Sequence, residues 1–313
     1  MSSASSLRAT LLLGLVMIFW AGNSIVGRAT AGEIPPLTLA FARWTGALAI
    51  LAPFAWRKVR QDWHVLRARW KPVLALGLLG IAAFNALLYS GLQFTTATNA
   101  LLLQAAVPAL VILLDRLIWG TRSGLVQIIG TMASTIGVVF IVFEGDWHQF
   151  LSLDLGRGDA LILASIVVWA LYTVLLRLRP DVSPVSLVAV TFAIGALSMA
   201  PLAMWEHASG LRIVWSTGTV LALLYVSIFP STISYFIYNY AAGELGAARA
   251  GQAITLLPLF GALLSAVLLG EALQWYHGAG MALICLGIAM GLVALRRQRF
   301  REMSIAQESG AGR

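Results

Sequence analysis

Residues 7–27 read LRATLLLGLVMIFWAGNSIVG and contain a single charged side chain, Arg8. An α-helix rises about 1.5 Å per residue, so a helix of this length matches the hydrocarbon core of a bilayer, which is about 30 Å thick. A membrane β-strand would alternate apolar and polar side chains over about ten positions. The continuous apolar run therefore predicts a membrane-spanning helix.

Nine more apolar runs of similar length follow along the chain. The ten predicted spans are Leu7–Gly27, Pro36–Trp56, Pro72–Phe94, Thr98–Trp119, Leu125–Phe143, Gly158–Leu178, Pro184–Trp205, Thr217–Tyr240, Ala247–Leu269 and Trp275–Leu295. We therefore expect an all-α membrane protein with ten transmembrane helices.

The composition agrees with lipid as the main solvent of the chain. Of the 313 residues, 59% are hydrophobic and 11% are charged, whereas soluble proteins carry about 25% charged residues. A soluble enzyme of this size is therefore excluded. The single cysteine, Cys285, excludes a disulfide scaffold, and its place in an apolar run predicts a buried structural thiol.

The basic residues predict the orientation of the chain. If the N-terminus is cytoplasmic, 17 of the 21 Lys and Arg residues lie on or near the cytoplasmic side, and Arg28, Arg157 and Arg212 lie outside. The seventeen are Arg8, Arg57, Lys58, Arg60, Arg67, Arg69, Lys71, Arg116, Arg122, Arg177, Arg179, Arg249, Arg296, Arg297, Arg299, Arg301 and Arg313. By the positive-inside rule we expect a multi-pass protein of the bacterial cytoplasmic (inner) membrane, with both termini cytoplasmic. Because the charges stand at the ends of apolar runs, we expect no nucleic-acid partner.

Tryptophan residues mark the expected membrane boundaries. Eight of the 11 lie at the ends of spans or in loops, namely Trp56, Trp63, Trp70, Trp119, Trp147, Trp205, Trp215 and Trp275. Such positions are typical of interfacial anchors. Trp20, Trp44 and Trp169 lie inside spans, which makes them candidates for a functional role.

The two halves of the chain share a spaced pattern of residues. Trp20 and Arg28 recur 149 positions later as Trp169 and Arg177, and the first of each pair is followed by alanine. Further matches at 148 to 150 positions join Pro36 to Pro184, Tyr89 to Tyr238, Pro108 to Pro258, Gly120 to Gly270, Gly130 to Gly280 and Gly137 to Gly287. We interpret the halves as two five-helix repeats. Because five is odd, the second repeat must have inverted topology.

This repeat defines the expected domains and the expected class of function. Residues 1–143 form the first repeat, 144–157 an external linker, 158–295 the second, inverted repeat, and 296–313 a basic cytoplasmic tail. Inverted repeats around a central cavity are typical of secondary transporters, which bind substrate near the membrane midplane and work by alternating access. The alternative is a duplicated membrane scaffold without transport.

Several local motifs resemble one family. They are Phe19–Asn23 followed by Arg28, Pro36 with Arg43 and Pro53, Gly246–Ala250, Leu256–Leu259 and Leu269–Glu271. Across nearly its whole length the chain resembles the ten-helix EamA-type members of the drug/metabolite transporter superfamily. The first half departs from the motif, because Gly120 is followed by Thr121 where Gly270 is followed by Glu271.

The resemblance implies a class of substrate. Members of this superfamily move amino acids, metabolites or nucleotide sugars, and the chain looks most like bacterial exporters of aromatic and other apolar amino acids. We therefore expect export or facilitated passage of a small zwitterionic amino acid. A nucleotide-sugar or other metabolite carrier is the alternative, although phosphates favour several cations and only Arg43 lies within a span.

Arg43 is the most informative polar residue, because a cation inside a span costs at least about 2.5 kcal/mol. Two interpretations stay open at this point: an interhelical clamp on backbone carbonyls or Asn23, and a docking point for a substrate carboxylate. Trp20 and Trp169 are expected on opposite sides of the midplane, either as an aromatic wall or as ordinary helix packing. Pro230 predicts a bend in its helix, which is either a gating hinge or a static kink.

The candidate binding residues combine this cation with neutral polar and aromatic side chains inside the spans. They are Trp20, Asn23, Arg43, Trp44, Tyr89, Gln104, Trp169, Tyr172, Tyr235, Tyr238, Asn239 and Gln252. The acidic residues and histidines fall in loops or near helix ends, so a proton relay is not expected and passive, gradient-driven transport is favoured. No catalytic constellation, metal cluster or phosphate-binding loop occurs, so we expect no enzyme activity, no cofactor and no metal, and no obligatory protein partner.

Overall fold

The computed structural model describes residues 3–120, 125–146, 148, 156–245, 256–287 and 289–290. Every regular element in these ranges is a helix, which confirms the all-α prediction for the described residues. The α-helices are α1 (Ser3–Ala29), α2 (Pro36–Ala68), α3 (Trp70–Leu76), α4 (Phe84–Gly91), α5 (Ala97–Leu103), α6 (Val107–Trp119), α7 (Leu125–Val142), α8 (Arg157–Leu175), α9 (Pro184–Ala208), α10 (Thr217–Ser227), α11 (Ser234–Leu245), α12 (Leu257–Leu269) and α13 (275–287).

Six helical stretches are long and apolar enough to cross a membrane. They are Leu11–Ala29, Pro36–Ala68, Trp70–Gly91, Arg157–Leu178, Pro184–Ala208 and Thr217–Tyr238. All six overlap predicted spans, and two shorter apolar helices, Ile128–Ile141 and Phe260–Leu269, overlap two more. The chain is therefore a multi-pass membrane protein.

The helix boundaries differ most from the predicted spans at α2. This helix continues to Ala68, well beyond the predicted limit at Trp56. The added segment contains three Arg, one Lys and one Gln, residue types that favour helix but not lipid. Hydropathy therefore located the part of α2 that lipid can cover, and the helix itself extends into water.

Irregular turns recur in the two halves. A π-helical segment, Gly77–Ala83, joins α3 to α4, and a second one, Ile228–Ile233, joins α10 to α11 about 150 residues later. Gly120 and Gly270 end α6 and α12 in the left-handed conformation, each with φ of 67°. Glycine has no Cβ and adopts this conformation without strain, which is why both helices can stop there.

Two carboxylates hold α2 and α9 side by side in opposite directions. Glu206, near the end of α9, accepts hydrogen bonds from the backbone N–H groups of Leu37 and Thr38 at 3.0 and 2.7 Å. Asp62, near the end of α2, accepts one from the N–H of Ser183 at 3.0 Å. A carboxylate at a helix N-terminus satisfies its free N–H groups and matches the helix dipole. Each helix therefore caps the start of the other.

We name the two ends of the bundle after α2, as the Pro36 end and the Ala68 end. At the Pro36 end, Arg28 near the end of α1 donates to the carbonyl of Leu92, just after α4, at 3.1 Å. The start of α8 lies at the same end, where Thr95 donates to Asp159 at 2.6 Å. Because α1 finishes where α8 begins, the two helices run in opposite directions.

A third carboxylate caps a helix at the Pro36 end. Glu271, just after α12, accepts hydrogen bonds from the N–H groups of Ala97 and Thr98 at the start of α5, at 2.9 and 2.8 Å. Beside it, Nε2 of the buried His277 lies 2.8 Å from Oδ1 of Asn99. The end of α12 therefore meets the start of α5, and these two helices also run in opposite directions.

The helices α7 and α13 cross at two glycines. A Cβ atom on Gly137 would lie 2.6 Å from the carbonyl oxygen of Gly280, and one on Gly280 would lie 2.8 Å from that of Gly137. Only glycine permits this separation. Close backbone approach through small residues is a common way for helices to associate in lipid, where no hydrophobic driving force acts between them.

The outer surface of the bundle is apolar and suits contact with lipid. Trp56, Trp205 and Trp275, predicted as interfacial anchors, are 71%, 62% and 67% exposed. Trp44, predicted inside a span, is 1% exposed. Exposure therefore separates these three residues from Trp44, and their place at the membrane boundary stays a prediction; Trp147 lies outside the described residues.

The prediction of a buried thiol is wrong, because Cys285 on α13 is exposed. The physical reason is the solvent. In a soluble protein an apolar run is buried against protein, but in a membrane protein lipid covers apolar side chains equally well. An apolar neighbourhood in the sequence therefore does not distinguish the two environments.

Replacing Glu206 with alanine is expected to destabilise the fold, because it leaves the N–H groups of Leu37 and Thr38 without their acceptor. Unsatisfied buried donors cost about 1–3 kcal/mol, so the midpoint of thermal unfolding in detergent should fall. Glu33→Ala is the matched control, because this substitution also removes one carboxylate, and Glu33 is exposed. Equal midpoints for the two variants would contradict the capping role.

Candidate functional site

A cavity lies between the two halves, near the middle of α1 and α8. It contains about 660 Å³ of space, part of it open to solvent. We call it the central cavity, and its lining residues are Trp20, Asn23, Ser24, Arg43, Trp44, Gly80, Phe84, Asn85, Leu88, Gln104, Val107, Trp169, Tyr235 and Leu257.

Arg43 of α2 projects into a cluster of neutral oxygen atoms beside the central cavity. Its Nε donates to Oγ of Ser231 at 2.8 Å. Its Nη1 donates to Oδ1 of Asn23 at 2.9 Å, to Oδ1 of Asn85 at 2.8 Å and to the hydroxyl of Tyr89 at 3.1 Å. The guanidinium therefore joins α2 to α1, to α4 and to the π-helical segment before α11. This geometry includes the contact with Asn23 that the clamp interpretation expects.

The charge of Arg43 is hydrogen-bonded but not neutralised. The side chain is 5% exposed, and among the described residues no carboxylate forms an ion pair with it. In those same residues Nη2 has no hydrogen-bond partner. A buried cation with neutral partners keeps a positive field in the cavity beside it. The central cavity is therefore suited to an anionic group.

Side-chain hydroxyls of the π-helical segment Ile228–Ile233 donate to carbonyl groups in the last turn of α10. Ser231 donates to the carbonyl of Val226 at 2.8 Å and Thr232 to that of Ser227 at 3.0 Å. Pro230 has no N–H to donate to the carbonyl of Val226, and the Ser231 hydroxyl donates to this carbonyl instead. Whether Pro230 is a hinge stays a prediction.

The two interior tryptophans of the repeat pattern both line the central cavity. Trp20 donates from Nε1 to the carbonyl of Pro230 at 3.0 Å, and its ring centroid lies 5.5 Å from that of Tyr238. Trp169 packs against Phe84 and Tyr172, with ring centroids at 4.7 and 5.0 Å. These distances are typical of aromatic pairs. Two aromatic walls therefore face the cavity from α1 and α8.

Trp44 lies between the central cavity and the surrounding helices. The Arg43 guanidinium carbon is 4.3 Å from the Trp44 ring centroid, which is close enough for a cation–π contact. The ring of Phe192 of α9 also packs against Trp44, with ring centroids 4.6 Å apart. Trp44 therefore supports the cation and separates it from the packed interface of α2 and α9.

The structure places the predicted binding residues in three groups. Trp20, Asn23, Arg43, Trp44, Gln104, Trp169 and Tyr235 line the central cavity. Tyr89, Tyr172 and Tyr238 lie behind that lining, in contact with Arg43, Trp169 and Trp20 respectively. The side chain of Asn239 and the whole of Gln252 lie outside the described residues.

Sequence reasoning did not select Ser231 and Asn85 for the site, although both bind Arg43 directly. Asn85 stands one helical turn before Tyr89, so the two share a helix face, and this spacing was a usable signal. Ser231 lies 188 positions from Arg43, and no periodicity connects them. Only the fold brings this pair together.

Comparison with known proteins supports a transport function. The sequence profile of the EamA-like transporter family matches residues 7–143 and again residues 156–293, which together are most of the chain. The chain belongs to the EamA-like transporter family. The family resemblance expected from the motifs is thereby confirmed, and the protein is a membrane transporter rather than an enzyme.

Named relatives of this EamA-like transporter carry the same general description. It is 27% identical to the "uncharacterized transporter YyaM" of Bacillus subtilis over 94% of the chain and 97% of that protein. It is 30% identical to an "uncharacterized transporter" of Archaeoglobus fulgidus over 89% of the chain and 95% of that protein. One solved crystal structure shares the fold with a TM-score of 0.60 and 19% identity, over 93% of this chain and 98% of that one.

Replacing Tyr89 with phenylalanine is expected to weaken the cluster around Arg43. The hydroxyl accepts from Arg43 and donates to Oδ1 of Asn23 at 2.6 Å, and losing a buried hydrogen bond costs about 1 kcal/mol. The midpoint of thermal unfolding should therefore fall. Tyr276→Phe is the matched control, because the Tyr276 hydroxyl has no hydrogen bond to any described residue. A Tyr89→Phe protein as stable as this control would contradict the clamp.

Proposed function

We propose that this transporter moves a small zwitterionic amino acid with an aromatic or large apolar side chain through the central cavity. The observation that carries the proposal is a buried arginine with only neutral partners, placed beside aromatic walls. Transport is by alternating access and is passive. In the cell the protein exports such amino acids or facilitates their passage across the bacterial cytoplasmic membrane.

Two polar side chains of the central cavity, Arg43 and Gln104, are the proposed partners of the two charged groups of the substrate. The carboxylate binds at Nη2 of Arg43, the one guanidinium nitrogen without a hydrogen bond among the described residues. The ammonium group binds at Gln104, whose Nε2 donates to the carbonyl of Ala100 at 3.2 Å and whose Oε1 is then the acceptor. Charge-assisted hydrogen bonds of this kind are stronger than neutral ones.

The apolar part of the substrate lies against aromatic rings. Trp20, Trp169, Phe84 and Tyr235 all line the central cavity. An indole or phenol ring offers a broad apolar face and so favours an aromatic or bulky aliphatic side chain. A nucleotide sugar is disfavoured, because Arg43 is the only cation among the described lining residues and a diphosphate calls for more.

The proposed mechanism rests on an inverted repeat of ten helices. The family profile matches once in each half, and the π-helical segments recur at equivalent positions. Equivalent helices run in opposite directions, as the mutual caps of α2 and α9 illustrate. Residues 1–143 and 158–295 are then the two repeats, joined by an external linker at 144–157 and followed by the cytoplasmic tail 296–313.

Alternating access assigns a role to the contacts at the Pro36 end. There Glu206 and Glu271 of the second half bind backbone N–H groups of the first half. With both termini cytoplasmic, as the basic residues favour, the Pro36 end is external. Opening the central cavity to the outside then requires some of these bonds to break, and the π-helical segment around Pro230 is the proposed hinge.

Counterflow in liposomes tests the substrate class. Liposomes containing the purified protein and preloaded with phenylalanine are expected to take up labelled phenylalanine and tryptophan, because the cavity binds both charged ends and the ring. A labelled nucleotide sugar should not exchange, and a pH gradient should not change the rate. Protein-free liposomes are the control. Absence of exchange for every amino acid tried, including threonine, would remove the proposal.

A Trp169→Ala variant tests the aromatic wall. Losing one aromatic contact of about 0.5–1.5 kcal/mol should raise the KM for phenylalanine by about two- to tenfold. Threonine, which has no ring to stack, should be affected less. Trp205→Ala serves as the control, since Trp205 is exposed on the outer surface. If Trp169→Ala transports phenylalanine with an unchanged KM, Trp169 is a packing residue only.

A further inference from the structure

A second cavity lies beside the central one, between α2, α9 and α11. It contains about 370 Å³ of space, part of it open to solvent, and we call it the side cavity. Its lining residues are Leu51, Pro184, Val185, Val188, Phe192, Thr232, Tyr235 and Phe236. No charged residue is among them, and the hydroxyl of Thr232 is already bonded to the carbonyl of Ser227. The side cavity therefore suits an apolar group alone.

Tyr235 is the one described residue that lines both cavities. Its ring meets Phe192, on the side-cavity wall, edge-to-face at 5.2 Å. It also meets Trp20, on the central-cavity wall, in a second edge-type contact with ring centroids 6.5 Å apart. The Tyr235 side chain is therefore a wall common to the two cavities, and we call it the partition.

The position of this partition follows from the irregular backbone before it. Tyr235 stands in the first turn of α11, directly after the π-helical segment that ends at Ile233. Ser234 fixes the junction by donating to the carbonyl of Phe229 at 2.8 Å. The ring is thus held by a defined turn and by its aromatic neighbours Phe192 and Trp20.

We propose that Tyr235 sets the upper size limit of the transported side chain, and that the side cavity is the subsite into which a longer apolar side chain extends when this ring is absent. The inference rests on the proposed function, because it takes an amino acid held at Arg43 as the substrate. The occupant is the distal part of that amino acid's side chain. The apolar lining and the shared wall at Tyr235 both favour it.

The test compares substrates of different length in variants of Tyr235. Counterflow is measured for phenylalanine and for 4-phenylphenylalanine, which differs by one extra ring. In Tyr235→Ala the ratio of kcat/KM for the longer substrate to that for phenylalanine should rise at least about tenfold. Tyr235→Phe keeps the ring and should keep the wild-type ratio. Tyr235→Leu should fall between them, and it replaces the alanine variant if that protein does not fold.

Two outcomes would overturn the proposal. One is an unchanged ratio in Tyr235→Ala and Tyr235→Leu while phenylalanine is still transported. The other is loss of discrimination between the two substrates together with leak of a trapped dye, which would show that the Tyr235 ring seals the protein and does not set the length of the side chain. Pro184 and Phe236 are exposed at the outer surface, so a lipid chain is the competing occupant.

A labelling experiment separates failure of this inference from failure of the proposed function. A Val188→Cys substitution is placed in the side cavity, in a Cys285→Ala background that removes the one native thiol. A water-soluble thiol reagent should modify it several-fold faster when Tyr235 is alanine, because water then enters from the central cavity. Equal labelling rates would overturn the partition, whatever the transported substrate is.

Discussion

A guanidinium group in the interior of a membrane protein requires hydrogen-bond acceptors, because an unsatisfied cation in lipid is very costly. Arg43 obtains four of them from Asn23, Asn85, Tyr89 and Ser231, all neutral. These acceptors come from α1, from α4 and from the π-helical segment before α11, so the same bonds that make the charge tolerable also fix how these elements meet. Replacing any acceptor by a carboxylate would neutralise the charge and remove the attraction for an anion. In the proposed function, stability and recognition therefore both depend on Arg43 and on the neutrality of its partners.

The π-helical segment Ile228–Ile233 connects this constraint to the aromatic walls. Its Ser231 accepts a hydrogen bond from Arg43 and donates one to Val226, while the carbonyl of Pro230 accepts from Trp20. A regular α-helix would use these carbonyls internally and leave none for side chains of other helices. The irregular turn thus makes backbone groups available deep in the membrane, where side chains satisfy them. The polar cluster and the indole of α1 meet at this turn.

The sequence predicted the described spans, the interior tryptophans and the importance of Arg43. Other contacts, and the exposure of Cys285, were not predicted. Apolar runs located the described spans because their length is set by bilayer thickness, and the interior tryptophans stood out because the others lie at boundaries. The contact of Arg43 with Asn23 was one of two open interpretations, since a buried cation must have a partner. The contact with Ser231 and the cap of α2 by Glu206 were not predictable, because they depend on which helices are neighbours. Cys285 was placed wrongly because lipid and protein interior attract the same side chains.

The π-helical segment before α11 also determines what the insertion or deletion of one residue in this region would do to the central cavity. A π turn holds one residue more than an α turn, so every position after it is rotated by about 100° relative to an uninterrupted helix. Tyr235 comes two residues after the segment and faces Trp20 and Phe192 in that rotated register. Loss of a single residue there would leave the helix continuous and apolar, and the mean hydropathy of the span would hardly change. The aromatic ring, however, would swing toward another side of the helix, and the pocket would change shape without any substitution in its wall.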